Sequence, residues 1–198
     1  MDASEAIRKR RSVRDFSSKV VNSKDIYRIL EAGTLAPNSG NVQNWRFIVV
    51  DEQEKLEEVA KTTLNPETFD NVSTAIIVCS LTDKVTSAFK EWGKRYSVQN
   101  VAAAIENMLI EATGLGIDSL WVGAFAEQRI RKIFHITDDV EIHAILIFGY
   151  RQKNPPKQVR ALVQAVVYFN DWKNLDSEKY FFPLSRHVDK LKRLVKRK

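Results

Sequence analysis

The chain has 198 residues, with 31 Lys plus Arg against 25 Asp plus Glu and a formal net charge of +6. Residues 190–198 hold six basic and no acidic side chains, so the rest of the chain is formally neutral. With 44% hydrophobic and 28% charged residues, the composition is that of a globular protein of one domain. The apolar runs are too short to span a bilayer, and the first residues lack the apolar stretch of a secretory signal. We therefore expect a cytoplasmic protein.

Several kinds of site are excluded by residue counts and spacing. The single cysteine, Cys79, rules out an internal disulfide framework and fits a reducing compartment. His135, His143 and His187 have no paired spacing, so no metal site is predicted. The GxG at 114–116 follows a helix and not a strand, which does not support a dinucleotide fingerprint. No phosphate loop and no serine nucleophile elbow occur.

In chain order, hydrophobic periodicity predicts helices and strands that do not follow the regular alternation of a doubly wound sheet. The predicted helices cover 2–10, 23–36, 51–63, 84–116 in two pieces divided near Gly93, and 126–136. The predicted strands cover 47–50, 75–80, 119–125 and 141–150, with one more inside 161–172. Ser23 is the expected N-cap of the second helix.

The second piece of 84–116 is apolar over a broad face, which is typical of a helix in a core or a subunit interface. The residues of that face are Val98, Val101, Ala102, Ile105, Leu109, Ala112 and Leu115.

Five cations occur within the seven residues Arg8–Arg14. Because such a cluster repels itself, an ordered chain there predicts a bound anion. Phosphate is the natural candidate, since arginine forks match its oxygens and Ser12 adds a hydroxyl donor. An extended backbone over 11–16 would place Ser12 and Arg14 on one side and Arg11 and Val13 on the other. A solvated basic helix end explains the segment equally well.

A second polar cluster, PNSGNVQNW, covers residues 37–45. Its Asn, Ser and Gln side chains offer both donors and acceptors, as recognition of a planar heterocycle requires. Taken alone, its first five residues are an ordinary turn.

Four motifs in order and spacing resemble the nitroreductase family of FMN-dependent NAD(P)H oxidoreductases. They are RRSVRDF at 10–16, APNSGNVQNWRFIVV at 36–50, LGIDSLWVGAF at 115–125, and AILIFGY at 144–150 followed by NPPK. The resemblance covers residues 4–172. It implies an α+β three-layer fold, with a central, mostly antiparallel sheet flanked by helices, in an intertwined homodimer with FMN at the interface. Residues 1–172 would form the FMN-binding domain, and 173–198 an extension with a basic amphipathic helix.

The resemblance also implies a role for each position that matches the family. FMN phosphate would be held by Arg10, Arg11, Ser12, Lys157 and Arg160. The pyrimidine edge of the flavin would be bound by Arg14 and Asn41, and the isoalloxazine would lie beside Gly123 and Ala124. Pro37, Asn38 and Ser39 would cover the cofactor from the partner subunit.

The chain departs from the family pattern at three points. Asn44 stands where the family usually has proline, and Asn38 stands where it usually has serine. The usual Lys-x-Arg is replaced by the four residues 157–160, which makes Arg160 the least secure assignment.

The expected reaction passes hydride from NADH or NADPH through flavin N5 to a small acceptor, such as a nitroaromatic or a quinone, by a ping-pong mechanism. A cation at Arg14 would stabilise the negative charge that appears on the flavin on reduction. Phe89, Trp92 and Tyr96, spaced i, i+3 and i+7, either shape an aromatic acceptor pocket or pack in the core.

Two alternatives remain at this point. One is a specialised flavin branch that performs reductive dehalogenation or flavin fragmentation. The other is a non-enzymatic basic protein that binds nucleic acid or membrane surfaces through Arg8–Arg14 and the tail. For the expected oxidoreductase, neither nucleic acid nor a membrane is predicted as a partner. The sequence does not choose the acceptor or between NADH and NADPH.

Overall fold

The computed structural model describes residues 1–156 and 158–172. The chain divides after Pro155 into two compact units, of which the first is Met1–Pro155. The helices of the first unit are α1 Ala3–Lys9, α2 Ser23–Thr34, α3 Gln53–Ala60, α4 Thr82–Phe89, α5 Gly93–Gly114 and α6 Glu127–Ile133. Its strands are β1 Trp45–Val50, β2 Thr74–Ser80, β3 Asp118–Val122 and β4 Glu141–Gly149. Lys157 and the predicted basic helix within 173–198 lie outside the described residues.

The four strands form one sheet in the order β1-β2-β4-β3, and each neighbouring pair is antiparallel. Every residue of β2 is buried, as its β-branched sequence TAIIVCS predicts for a central strand. In the register of β2 and β4, Ile77 lies opposite Ile145. Within the described residues, no helix is both long enough and apolar enough to cross a membrane.

Alternate residues of the central strands point to two separate cores, one on each face of the sheet. Ile76 and Leu146 pack with Met108 of α5 in the first core. Ile77 and Ile145 belong to the second core, which also contains Leu56 of α3 and Ile130 of α6. Each fully buried side chain of this size contributes roughly 1.5–3 kcal/mol. Helices therefore cover both faces, and the predicted α+β three-layer fold is confirmed.

The predicted division of the helical region at Gly93 is also confirmed. A side chain at Gly93 would place its Cβ 2.3 Å from the Cα of Thr86, so α4 and α5 meet more closely than any other residue permits. The apolar face of α5 is narrower than predicted, because Val98 is 52% exposed. Buried Ser97 and Asn100 occupy part of that face instead.

Two sequence predictions of local structure are wrong. The N-cap of α2 is Asn22, whose side chain accepts a hydrogen bond from the backbone N–H of Lys24, while Ser23 is the first residue of the helix. No strand occurs in 161–172, all of which is described. That stretch has only a short 3-10 turn at Val163–Ala165, and Val163 is 54% exposed. A strand needs a neighbour for its backbone groups, and no strand of the described residues pairs with this stretch.

Candidate functional site

The basic segment after α1 runs beside the edge strand β3. The backbone N–H of Val13 donates to the carbonyl oxygen of Ser119 at 3.1 Å. Val13 and Phe16 are buried, whereas Ser12 and Arg14 are exposed. The predicted alternation holds for Ser12, Val13 and Arg14 but ends before Phe16, which is buried although strict alternation would place it with Ser12 and Arg14.

Two of the five cations near α1 already have partners. Lys9 forms an ion pair with Glu5 at 2.6 Å. The Arg11 guanidinium donates from Nη1 to two carbonyl oxygens at the C-terminal end of α1, which caps the helix. In contrast, the side chains of Arg8, Arg10 and Arg14 make no ion pair or hydrogen bond within 1–156 and 158–172. Arg8 lies on α1, whereas Arg10 and Arg14 belong to the segment that follows it, so these two arginines are the candidates to bind an external anion there.

A cavity of about 170 Å³ lies where Arg14 meets the C-terminal end of β3. Three walls enclose it. The first is Arg14, the second consists of residues 63–65, 68 and 69, and the third consists of residues 120–124. The second and third walls are joined by a β-bridge between Thr63 and Phe125 and by a 2.7 Å hydrogen bond from the Ala126 N–H to the Thr62 carbonyl. Of the predicted site residues, the structure therefore brings Arg14, Gly123 and Ala124 together.

The chemistry of this cavity fits one end of a flavin, a flat ring system with polar edges. A Cβ placed on Gly123 would meet no atom within 4 Å, so a planar ring has room to approach the backbone there. Arg14 offers a cation, and Asn65 offers an amide that both donates and accepts. At about 170 Å³, this cavity is smaller than the roughly 300–1,000 Å³ that ligand sites typically measure.

The wall at 63–69 is the part of the site that sequence reasoning missed. From the sequence, no element and no role is predicted for residues 64–74, between the predicted helix over 51–63 and the predicted strand over 75–80. The polar run of Thr62, Thr63 and Asn65 is a local signal for a binding loop. Its position opposite Gly123 depends on pairing with residues some sixty positions later, which no local pattern reveals.

Residues 37–43, here called the covering loop, adopt an unusual backbone. Gly40, Asn41 and Gln43 have φ values of 56°, 57° and 48°. A left-handed conformation costs a non-glycine residue roughly 1–2 kcal/mol, so contacts must compensate for it. Asn38 supplies one of them, because its Oδ1 accepts a hydrogen bond from the Gln43 N–H at 3.1 Å. The side chain of Gln43 donates to Asn41 Oδ1 at 2.8 Å.

A pair of buried amides joins the covering loop to α5. Asn44 is completely buried, and its Nδ2 donates to the Ser97 hydroxyl at 2.8 Å. Asn100 Nδ2 donates to Asn44 Oδ1 at 2.9 Å. Asn100 Oδ1 accepts from both the backbone N–H and the hydroxyl of Ser39, at 2.9 and 3.1 Å. The four residues form one continuous chain of hydrogen bonds.

The hydroxyl of Ser97 continues this chain into the sheet. Ser80, Thr82 and Ser97 have their hydroxyl oxygens within 3.1 Å of each other. Ser80 also lies 2.7 Å from His143 Nε2 on β4. Burial lowers the pKa of His143, against the attraction of two nearby glutamates. Neutral His143 can therefore accept a hydrogen bond from Ser80.

The three aromatic residues singled out from the sequence come together beside the covering loop. The Phe89 and Tyr96 rings meet edge to face at 5.2 Å, and Trp92 stacks on Tyr96 at 6.4 Å. A Cβ on Gly40 would lie 2.8 Å from the Phe89 ring. Trp92 is 47% exposed, so the cluster is not ordinary core. These rings do not line the cavity at Arg14.

The last two residues predicted to bind phosphate lie beyond the first unit. Arg160 belongs to the second unit and is exposed. Lys157 is outside the described residues. Their assignment to the phosphate stays a prediction.

Comparison with known proteins identifies the family to which this chain belongs. The model of the nitroreductase family matches residues 7–77 and 58–150. The chain belongs to the nitroreductase family. A relative from Archaeoglobus fulgidus, provisionally named NADH dehydrogenase/NAD(P)H nitroreductase, is 32% identical over 165 residues, which are 81% of this chain and 89% of the relative.

Solved structures agree with this assignment to the nitroreductase family. The crystal structure of a nitroreductase family protein from Clostridium difficile 630 has a TM-score of 0.77 and 30% identity, covering 86% of this chain and 99% of that one. A nitroreductase family protein from Streptococcus pneumoniae TIGR4 also has a TM-score of 0.77, at 22% identity, which shows the fold alone. The resemblance drawn from four motifs is confirmed. The protein is an oxidoreductase of a family that uses FMN with NAD(P)H as electron donor.

Proposed function

We propose that this nitroreductase passes hydride from NADH or NADPH through FMN to a small aromatic acceptor, a nitroaromatic or a quinone, by a ping-pong mechanism. The observation that carries the proposal is the cavity that joins Arg14, which has no ion pair among the described residues, to the open backbone at Gly123 and Ala124. When bound there, the flavin supplies the redox chemistry. Membership of the nitroreductase family favours this enzyme over the basic binding protein considered above.

Arg14 is proposed to hold the pyrimidine edge of the flavin together with Asn41. Its guanidinium has no carboxylate partner in the described chain, so its charge is available to a ligand. A fixed cation at that edge favours the negatively charged form of the ring. Asn65 faces the same cavity and is proposed as a further polar contact. Gly123 and Ala124 leave room for the ring because neither carries a large side chain.

The phosphate is proposed to bind Arg10, Arg11 and Ser12, with Lys157 and Arg160 as further contacts. The support for this site is the ordered segment after α1, which exposes Ser12 and leaves Arg10 without a partner among the described residues. Arg11 has a second task, since it also caps α1.

A homodimer is part of the proposal. The cavity of one chain is smaller than a complete cofactor site, so a second copy would supply the cover. We propose that this cover is formed by Pro37, Asn38 and Ser39 of the partner. Exposed apolar side chains on the first unit, including Val98 of α5 and Tyr27 of α2, give such a dimer surface to bury. Sedimentation velocity tests it: a dimer is expected, and a monomer that retains FMN would contradict the shared site.

Phe89, Trp92 and Tyr96 are proposed to contact the acceptor. Their partly exposed rings offer stacking surfaces next to the covering loop. Trp92→Ala should change the ratio of kcat/KM between quinones and nitroaromatics with little loss of stability, because Trp92 is half exposed. Unchanged selectivity with a lower melting temperature would indicate a packing role.

The location and the domain organisation also remain proposals. Free and buried Cys79 suits a reducing cytoplasm. We retain 1–172 as the FMN-binding domain, although the compact units divide after Pro155.

The experiment that tests the function is the visible absorption spectrum of the purified protein, taken before and after anaerobic addition of NADH or NADPH. A yellow protein that bleaches supports the proposal. A colourless protein that does not bind added FMN would overturn it.

A matched pair of arginine variants tests the phosphate site. Arg10→Ala should weaken FMN binding by about tenfold or more, because it removes charge-assisted hydrogen bonds. Arg8→Ala makes the same change in net charge on the neighbouring helix and should leave the FMN dissociation constant within about twofold. Equal losses in both variants would show a general effect of charge and contradict the site.

A further inference from the structure

We propose that Asn44 and Asn100 are positioning residues that fix the covering loop on α5 and so set how tightly FMN is held. This inference rests on the proposed function, in which the covering loop lies over the cofactor. Neither residue is assigned to contact the flavin itself. They would act through Ser39, whose backbone N–H and hydroxyl both donate to Asn100 Oδ1.

The covering loop needs such an anchor because its backbone is strained. Two of its non-glycine residues, Asn41 and Gln43, have left-handed φ values. The hydrogen bonds from Gln43 to Asn38 and Asn41 are internal to the loop and fix its shape, and Asn38 Nδ2 also donates to the carbonyl oxygen of Ala36, just before the loop, at 3.4 Å. Within 1–156 and 158–172, the hydrogen bonds between this loop and α5 are the two from Ser39 to Asn100.

The hydrogen-bond donors and acceptors around Asn44 and Asn100 permit only one orientation of each side-chain amide. Asn100 Oδ1 accepts from the Ser39 N–H, which cannot reverse its role as donor. Asn100 Nδ2 must then donate, and it meets Asn44 Oδ1. Asn44 Nδ2 is thereby directed to the Ser97 oxygen. Rotation of either amide by 180° would oppose donor to donor or acceptor to acceptor inside a buried site, which is costly.

The connection at position 44 requires a side chain that both donates and accepts hydrogen bonds. The family usually has proline at this position, and a proline side chain neither donates nor accepts. Here the Asn44 side chain does both, while its backbone carbonyl accepts from the Leu81 N–H at 2.8 Å. Asn44 therefore connects the end of the covering loop to α5 through its side chain and to the segment after β2 through its backbone.

Asn100→Leu tests the proposal, with Thr82→Val as the matched control. Both changes remove one buried hydrogen-bonding side chain from the same network, but Thr82 lies at the end away from the covering loop. Asn100→Leu should raise the FMN dissociation constant about tenfold and speed amide hydrogen exchange across residues 38–43. Thr82→Val should lower the melting temperature similarly, yet leave FMN affinity and loop exchange near the wild-type values.

Asn100→Ser keeps a small polar group and serves if the leucine variant does not fold. It should show the same pair of changes, since one hydroxyl cannot reach both Ser39 and Asn44. FMN affinity and loop exchange equal to those of Thr82→Val would overturn the positioning role. A wild-type protein that binds no FMN would instead overturn the proposed function, and the exchange measurement would still decide whether Asn100 orders the loop.

Discussion

Arg151, just after β4, holds the carboxylate of Asp118 at the first position of β3. Its Nε lies 2.9 Å from both carboxylate oxygens, its Nη2 contacts Oδ1, and its backbone N–H donates to Oδ2 at 2.8 Å. Asp118 raises the pKa of Arg151, chiefly through this hydrogen bonding. The pair fixes the start of the strand whose other end carries Gly123.

Asp118→Asn should lower the free energy of unfolding by about 1–3 kcal/mol, because a partly buried guanidinium loses its charged acceptor. Urea unfolding at neutral pH measures the change. The exposed pair Lys55–Glu58 provides the control, since Glu58→Gln there should cost no more than about 0.5 kcal/mol. Similar losses at both sites would contradict a structural role for the Arg151–Asp118 pair.

Gly40→Ala and Gly123→Ala should separate loop conformation from cofactor contact. At Gly40, φ is +56° and the new Cβ would meet the Phe89 ring at 2.8 Å, so we expect a loss of stability of about 1 kcal/mol or more. At Gly123 the methyl group meets nothing within 4 Å, so stability should hold while FMN binding weakens. Thermal melts and FMN titrations of both variants check this, and a destabilised Gly123→Ala would be inconsistent with the open wall.

The buried His143 should make stability depend on pH. Its pKa is lowered in the folded protein, so the unfolded chain binds the proton more tightly. Stability is therefore complete above the unfolded pKa near 6.5 and declines as pH falls below it, at up to about 1.4 kcal/mol per pH unit. His143→Gln, which can still accept from Ser80, should flatten this part of the curve of unfolding free energy against pH. An unchanged slope between pH 7 and 5 would refute the assignment to His143.

The thiol of Cys79 should be unreactive in the folded protein. Burial raises its pKa from 9.0 to about 11, which lowers the thiolate fraction at pH 8 about hundredfold before access is considered. An aromatic disulfide reagent should therefore label the protein only slowly in buffer and rapidly in denaturant. Fast labelling under native conditions would show that β2 opens readily.

Local sequence patterns predicted the secondary-structure elements that depend on residues close together in the chain. The run AIIVCS identified β2 because a strand buried on both faces needs continuous β-branched residues. Gly93 indicated the division between α4 and α5. The order and spacing of four motifs indicated the nitroreductase family. The predicted N-cap was wrong by one residue, since Asn22 and Ser23 are both good caps and only the backbone geometry chooses between them.

Features that depend on distant partners were not predictable in the same way. The cavity wall at 63–69 faces Gly123 only after Thr63 pairs with Phe125. The role of Asn44 needs Ser97 and Asn100, more than fifty residues away. The sequence indicated only that Asn44 departs from the family pattern, and the fold supplies a physical reason for it.

Because β1 lies at the edge of the sheet, it affects how readily the chain aggregates at high concentration. Its sequence, WRFIVV, favours a strand strongly, and among the described strands it pairs on one side alone. Such an edge can recruit the same segment of another molecule and start aggregation. Arg46 is exposed and is the one charge in the strand, so it acts as a gatekeeper that an added strand would have to desolvate. The charge at position 46 therefore opposes edge-to-edge association, which is a task separate from any demand of catalysis.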